Sequence, residues 1–349
     1  MTLLEAPQPW KCGPFEFAPG RWIMEAATAA GAMFLQPVKV QTLDNTRALD
    51  PAADYNDGQI LVVRSGGFGD LLFLTPLLRA MKQRWPQCRL HVATTPVFQD
   101  ALAWHPSVDE VIDYPLPADT LRHYDAVLWL EGVIEFDPRA KDTHYVDLLS
   151  EAAGIPLTDG RHLNVGIKPE WRFTATRWPK RRKWRIGVQA QASARCRTWP
   201  HVADLVARLS DHPHMEVMIF GAPEQRQGDD VAGIHVLPWA EPEVSFGESL
   251  ALLETCDVVV APDSAICHAA AALRRPVVAL YGSFPWQLRT AYQPTVRAIN
   301  GHAPCAPCQW HAREGAFPPN GPCRQSGRCD ALATITVGRV VSEVGKKLN

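Results

Sequence analysis

From Gln59 onward the chain alternates short apolar runs with stretches whose apolar positions fall at helical spacing. The runs Ile60–Arg64, Arg89–Thr94, Glu110–Asp113 and Ala126–Leu130 predict strands. Between and after them the spacing predicts helices from about Leu71 to Arg84, over Phe98–Ala103 and over Thr143–Ala153, the last closed by Gly154. Alternation stops over 168–185, a basic stretch with two prolines and little apolar period. It then restarts. Strands are predicted at Arg185–Gln189, Glu216–Phe220, Ile234–Leu237, Val258–Ala261 and Pro276–Tyr281, with helices over Trp199–Ser210, Phe246–Thr255 and Ala265–Leu273. Strand and helix in turn, in both halves, predict an α/β protein with two doubly wound, mostly parallel sheets. Ligands of such sheets bind beyond the carboxyl ends of the strands.

This pattern divides the chain into an N-terminal extension (1–57), a first domain (58–167), a basic linker (168–185) and a second domain (186–300). A cysteine-bearing segment (301–330) and a C-terminal helix (331–349) follow. The extension is rich in Pro, Gly and aromatic residues and shows short alternating pieces such as Met33–Leu43, suited to a small β-structure. At 349 residues, 46% hydrophobic and 21% charged, the chain has the make-up of a globular protein large enough for two domains. A formal net charge of −2 argues against bulk nucleic acid as a wholesale electrostatic partner. The apolar runs fall short of the ~20 residues of a membrane span, and Met1–Gly13 lacks the basic-then-apolar pattern of a secretory signal. The expectation is a cytoplasmic protein, with peripheral contact at the inner membrane face as an option.

Two turns concentrate the candidate chemistry. After the first strand comes Ser65, Gly66, Gly67, Phe68, Gly69 and Asp70. It lacks both the P-loop lysine and the dinucleotide glycine spacing. Its glycines would permit positive φ or close approach of a ligand. Asp70 opens the next helix, where a carboxylate either caps the helix or, facing a cleft, serves as a general base toward an acceptor hydroxyl. The second turn is Pro262, Asp263, Ser264, Ala265, Ile266, Cys267, His268. Asp263 and Ser264 suit an N-cap, and the amides of Ser264, Ala265 and Ile266 would face an anion. His268, one turn on, is either a structural histidine or borders the same site. Together the turns suggest a cleft holding a polyphosphate or sugar nucleotide.

These residues resemble glycosyltransferase family 9, the ADP-heptose:lipopolysaccharide heptosyltransferases and their relatives. The resemblance rests on the first strand and its Gly-Asp turn followed by Thr75, Pro76 and Leu77. It also rests on Arg197-Thr198-Trp199-Pro200, on Asp263, Ser264, Ala265 and His268, and on Pro276–Gly282. It implies a GT-B architecture, two Rossmann-like domains facing a cleft, with the nucleotide sugar held mainly by the second. It further implies that Asp70 is the catalytic base of an inverting transfer, with no catalytic metal. Arg197 and the Ser264–Ile266 amides would stabilise the leaving diphosphate, and Glu224 would contact the nucleotide ribose. Gly66, Gly67 and Gly69 line the same site in this reading. The chain departs from the family in carrying Ala265 for Gly and Arg197 for Lys. Positive φ at Ala265 would be strained, and Arg keeps the charge of Lys in another geometry.

Cys305, Cys308, Cys323 and Cys329 stand apart from the five scattered cysteines. Two close pairs in a Pro/Gly-rich stretch have the spacing of a structural metal site for Zn²⁺ or iron. Two disulfides or four reduced thiols are the alternatives, and His302 and His311 are spare ligands. Family relatives that glycosylate autotransporter proteins carry a similar cysteine finger and an N-terminal extension. That likeness implies iron and an acceptor that is a protein. The basic run, interleaving eight cations from Lys168 to Arg185 with Trp171, Trp178 and Trp184, reads first as solvated linker. A nucleic acid or a membrane glycolipid remains an alternative acceptor for it. Homo-oligomerisation is a further expectation. Two other readings compete with catalysis: a non-catalytic nucleotide- or glycan-binding shell, and a metal-finger adaptor for nucleic acid or protein.

Overall fold

The computed structural model describes residues 2–6, 10–12, 15–17, 20–24, 39–42, 48–192, 194–221, 234–238, 244–309 and 322–348. The chain divides into two compact units. Met1–Ala140 with Tyr145–Gly160 forms the first, and Lys141–His144 with Arg161–Asn349 the second.

The first unit is built on a four-stranded parallel sheet. Its spatial order is Ala126–Trp129, Gln59–Val63, Arg89–Thr94, Glu110–Asp113. Residues 60–63 are fully buried, as a continuous apolar run covered on both faces requires. The helix Phe68–Arg84 follows and carries Pro76 in its interior. Proline leaves the carbonyl four residues back without its helical donor. Here the Thr75 hydroxyl donates to Leu72 O at 2.8 Å, so the adjacent residue supplies the missing bond. The N-terminal extension contributes strands Thr2–Ala6, Gly20–Met24 and Lys39–Thr42 to an antiparallel sheet that Leu116–Pro117 completes. Of Met33–Leu43, residues 33–38 and 43 lie outside the described residues, and Lys39–Thr42 is a strand.

The second unit carries a six-stranded, all-parallel sheet. In space the order is Ile234–Pro238, Met215–Gly221, Trp184–Gln189, Val258–Pro262, Val277–Tyr281, Val296–Asn300. Counted along the chain this is third, second, first, fourth, fifth, sixth, the order of a dinucleotide-type doubly wound sheet. Its core runs past the sheet. Ile186, Val258 and Val278 share one cluster with Ile335, Val340 and Val344 from the C-terminal region, all essentially fully buried. The C-terminal helix is Val337–Leu348.

The basic stretch is more ordered than its sequence pattern predicts. Pro169–Ala175 is a helix, with Trp171, Thr174 and Ala175 buried at positions i, i+3 and i+4. Trp171 lies where a methyl on Gly247 would have to go, 2.2 Å from its ring, so this helix packs tightly on Phe246–Glu254. Most of the charges find partners within the unit. Arg172 grips Glu254 with two bonds of 2.8 and 2.9 Å, and Lys180 pairs with Asp257 at 2.6 Å. Arg182 donates to the carbonyls of Ser210, His212 and Met215. Arg185 and Glu216 form an ion pair at 2.6 Å, each side chain 1% exposed. A run that reads as solvated is largely spent on holding its own unit together.

Candidate functional site

In a doubly wound sheet the binding crevice opens where the strand order reverses, because neighbouring connections there run off in opposite directions. In the first sheet that point lies between Gln59–Val63 and Ala126–Trp129. A hydrogen-bonded bridge spans it: the Ser65 amide and hydroxyl both donate to the Glu131 carboxylate, the hydroxyl at 2.7 Å. One residue before, the Arg64 side chain is buried at the strand end. It donates to Leu130 O at 3.2 Å and to both oxygens of Glu135 at 2.9 and 2.8 Å. Asp70 sits against this group, its Oδ1 3.5 Å from Arg64 Nη2. Burial alone lowers the pKa of Arg64. The charges of Asp70, Glu135 and Glu131 outweigh that and raise it above the ordinary guanidinium value. Burial also raises Glu131, against the pull of Arg64 and of the Ser65 hydrogen bonds.

The helix beginning at Phe68 explains where Asp70 points. Asp70 is its third residue, and its Oδ2 accepts from the N–H of the N-cap Gly67 at 3.0 Å. The carboxylate therefore does cap the helix, and its side chain also stays 31% exposed. Capping and an accessible carboxylate coexist at this position. The glycines work differently from the expectation. Gly67 has φ −69°, Gly69 lies inside the helix, and neither they nor Gly66 is among the described residues with positive φ. Gly66 is small for another reason. A methyl there would lie 2.9 Å from Asp70 Oδ2, so the missing side chain makes room for the carboxylate.

The second sheet repeats the arrangement. Its order reverses between Trp184–Gln189 and Val258–Pro262, and the Ser264 hydroxyl donates to Gln189 Oε1 across that point. Ser264 is the N-cap of Ala265–Ala272 and accepts from the Cys267 N–H at 3.4 Å. Asp263 is buried just before it. Two arginines and a histidine converge on Asp263 or its backbone. His268 Nε2 is 3.3 Å from Oδ1, Arg289 Nε 3.5 Å from Oδ2, and Arg197 Nη1 donates to Asp263 O at 3.4 Å. Burial alone raises the Asp263 pKa. The hydrogen bond from His268 and the charges of Arg289 and Arg197 outweigh it and hold the carboxyl well below its ordinary range. Asp263 is thus the anchor that fixes two arginines and a histidine beside the helix start. Ala265 begins the helix and is not among the described residues with positive φ, so the expected strain does not arise.

The structure therefore brings Gly66, Gly67, Gly69 and Asp70 together in the first unit. In the second it groups Arg197, Asp263, Ser264, Ala265, Ile266 and His268. Glu224 and His311 lie outside the described residues. Arg64, Glu131, Glu135, Gln189 and Arg289 escaped the reading of the sequence. The available signal was position: Arg64 and Gln189 are polar residues ending apolar strands, and Glu131 follows the next strand of its sheet.

Cys305, Cys308, Cys323 and Cys329 are all reduced. Burial pushes Cys305 up, and Cys323, to which it is hydrogen-bonded, and Cys308 push it further. Cys329 is pushed up to about 12 by burial first and by Cys323 and Cys308 in addition. Cys305 and Cys329 are thus discouraged from ionising, the circumstance a bound cation would reverse. Among the described residues no group of three or more His, Cys, Asp or Glu side chains is arranged to hold a metal ion. The donor chemistry suits a soft metal, although the cage is not closed. The described ends of this segment are seated on the carboxyl edge of the second sheet. A methyl on Gly301 would fall 1.8 Å from Ala331 O, and one on Gly282 would fall 3.0 Å from Cys329 Sγ.

Residues 143–314 match glycosyltransferase family 9 (heptosyltransferase). Over that span, just under half of the chain, the sequence is similar to this family. It is 23% identical to lipopolysaccharide heptosyltransferase 2 of Escherichia coli K12, over 64% of this chain and 82% of that protein. Among solved structures it is similar to a family 9 glycosyl transferase from Veillonella parvula. There the TM-score is 0.66 at 17% identity, covering 86% of this chain and 99% of the other. It is also similar to the iron-containing dodecameric glycosyltransferase TibC from enterotoxigenic E. coli. That TM-score is 0.63 at 16% identity, covering 89% and 85%. The family 9 match begins after the last strand of the first sheet, Ala126–Trp129, and spans the second sheet. No helix among the described residues is long and apolar enough to cross a membrane.

Proposed function

We propose that this protein is an inverting glycosyltransferase that moves a heptose-like sugar from an ADP-linked donor to an acceptor hydroxyl. The observation that carries the reading is Asp70, a carboxylate fixed by Gly67 and Arg64 at the reversal point of the first sheet yet partly open to solvent. In the proposed reaction Asp70 takes the proton of the acceptor hydroxyl. The acceptor oxygen attacks the anomeric carbon from the side opposite the diphosphate. The bond from that carbon to the phosphate oxygen breaks, its electron pair leaves with the diphosphate, and the configuration inverts. Arg197 and the main-chain amides of Ser264, Ala265 and Ile266 take up the negative charge that grows on the leaving group. Asp263 positions Arg197 and Arg289 for that task, and Glu224 is assigned to the ribose. Gly66 keeps space beside the base. The family match supports this, and TibC has been solved with ADP-D-β-D-heptose.

The test is ADP release from ADP-heptose by the purified protein, with mass spectrometry of proteins and glycolipids after co-expression to identify the modified acceptor. Acceptor-dependent release with a heptose-sized mass gain is expected. ADP binding without turnover would favour the non-catalytic shell, and no ADP binding at all would favour the adaptor.

In the same reading Cys305, Cys308, Cys323 and Cys329 hold a structural metal, iron in preference to zinc, whose role is to fix the segment on the sheet. The reduced thiols support this, and the iron-containing relative TibC favours iron. Metal analysis of the purified protein is expected to find about one ion per chain, the number a Cys₄ site binds. Cys305→Ser with Cys323→Ser is expected to abolish it. Unchanged metal content in that variant would remove these ligands.

A further inference from the structure

We propose that the second unit has a binding site for a phosphate monoester at the edge of the sheet opposite the nucleotide-sugar site. The site is a cavity of about 360 Å³ between the end of helix Ala265–Ala272 and the turn that leads into strand Val296–Asn300. Both boundaries precede strands of the sheet, whereas Asp263 and Ser264 follow one, so the two places lie at opposite edges. A ligand here does not compete for the groups at Asp263.

The chemistry of the walls selects an anion. Arg161, His162 and Arg274 line the cavity, and none of its described lining residues is acidic. Arg161 is held in place, its guanidinium 5.4 Å above the centre of the Tyr292 ring. His144 braces the same ring at 4.3 Å. Arg274 is one of few described non-glycine residues with positive φ, at 57°. That conformation ordinarily falls to glycine or asparagine where a helix ends. An arginine kept there is an outlier of the kind that clusters at ligand sites. The helix end carries only a partial negative charge, and Arg274 and Arg275 follow it directly.

Neutral donors complete the site. Gln293 is buried and its Oε1 accepts from the Leu163 N–H at 3.2 Å, while its Nε2 has no partner among the described residues. The Thr295 hydroxyl is likewise unpartnered, and Lys347 Nζ donates to Thr295 O at 3.2 Å just behind. Two guanidinium groups, an amide and a hydroxyl approach from different chain segments. A carboxylate meets that set with two oxygens in one plane and a single charge. A phosphate monoester presents three acceptor oxygens and a charge of about −1.5 to −2 at neutral pH. The volume leaves room for a small polar group beyond the phosphate, with Tyr292 as its flat wall.

The phosphate could come from a soluble ester or from a lipid headgroup, and the experiment separates them. The full-length protein is titrated calorimetrically, in excess ADP, with inorganic phosphate and with glycerol 3-phosphate. In parallel it is sedimented with phosphatidylcholine vesicles with and without phosphatidic acid. Binding of the soluble ester assigns a free metabolite; binding of the acidic vesicles alone assigns a headgroup. Either supports the site if Arg161→Gln with Arg274→Asn weakens it by at least about tenfold, the loss expected for charge-assisted hydrogen bonds, and Arg197→Ala does not. Asn suits the left-handed backbone at 274, and the exposed Arg161→Gln alone serves should the pair disturb folding. Absence of binding with every probe, or full binding in both variants, would overturn the proposal.

Discussion

Replacing Asp70 by asparagine is expected to lower the rate of sugar transfer by roughly 10²–10⁴-fold, the range of a positioned general base. Asparagine keeps the oxygen that accepts from Gly67 and nearly the same volume beside Gly66. It loses the charge and with it the capacity to take a proton. Arg64 retains its two bonds to Glu135, so folding should be almost untouched. The measurement is kcat for transfer to the identified acceptor, beside the melting temperature of both proteins. Wild-type kcat in the variant would remove Asp70 as the base. A fall in kcat that tracks a fall in melting temperature would reduce it to a helix cap.

Removing the buried carboxylate of Glu216 is expected to destabilise the second unit by about 3–5 kcal/mol, a drop on the order of 10 °C in melting temperature. The reason is what stays behind. The Arg185 side chain is 1% exposed and Glu216 is its sole carboxylate partner among the described residues. Its remaining bonds, to the Thr255 hydroxyl and Trp178 O, are to neutral acceptors. Glu216 also accepts from the N–H groups of Arg181 and Arg182, so Glu216→Ala leaves those amides without that acceptor as well. Replacing the ion pair with Arg185→Met and Glu216→Leu together should recover part of the loss, because no buried charge is then left alone. Full recovery is not expected, since neither new side chain serves the two amides. Urea unfolding of the wild type and the two variants measures this. An unchanged midpoint for Glu216→Ala would show that Arg185 finds water in place of the carboxylate.

The central strands of both sheets were legible because most of their residues are buried on both faces and so form nearly unbroken apolar runs. Val258–Pro262 and Val277–Tyr281 are buried throughout. Val296–Asn300 was not, and its burial explains why: only Ile299 is buried in this edge strand, so no run announces it. The helix Pro169–Ala175 was hidden by its own charges, although Trp171, Thr174 and Ala175 fall at helical spacing. At the site, the carboxylates and turn residues could be named because capping chemistry is local. Their partners could not. Arg64 meets Glu135 across 71 positions of sequence and Ser264 meets Gln189 across 75, and pattern along the chain says nothing about such pairings. The glycines of the first turn show a subtler miss. Their presence was informative, but the space they leave serves the neighbouring carboxylate and not an unusual backbone angle.

The core shared between sheet and tail has a practical consequence for anyone dissecting this chain. The family 9 match ends at residue 314, but Ile335, Val340 and Val344 are wholly enclosed with Ile186 and Val258. A fragment trimmed to the recognisable span would strip the cover from that oil-like interior and present it to water. What evolution labels as the module ends some thirty residues before what physics requires to hold it shut.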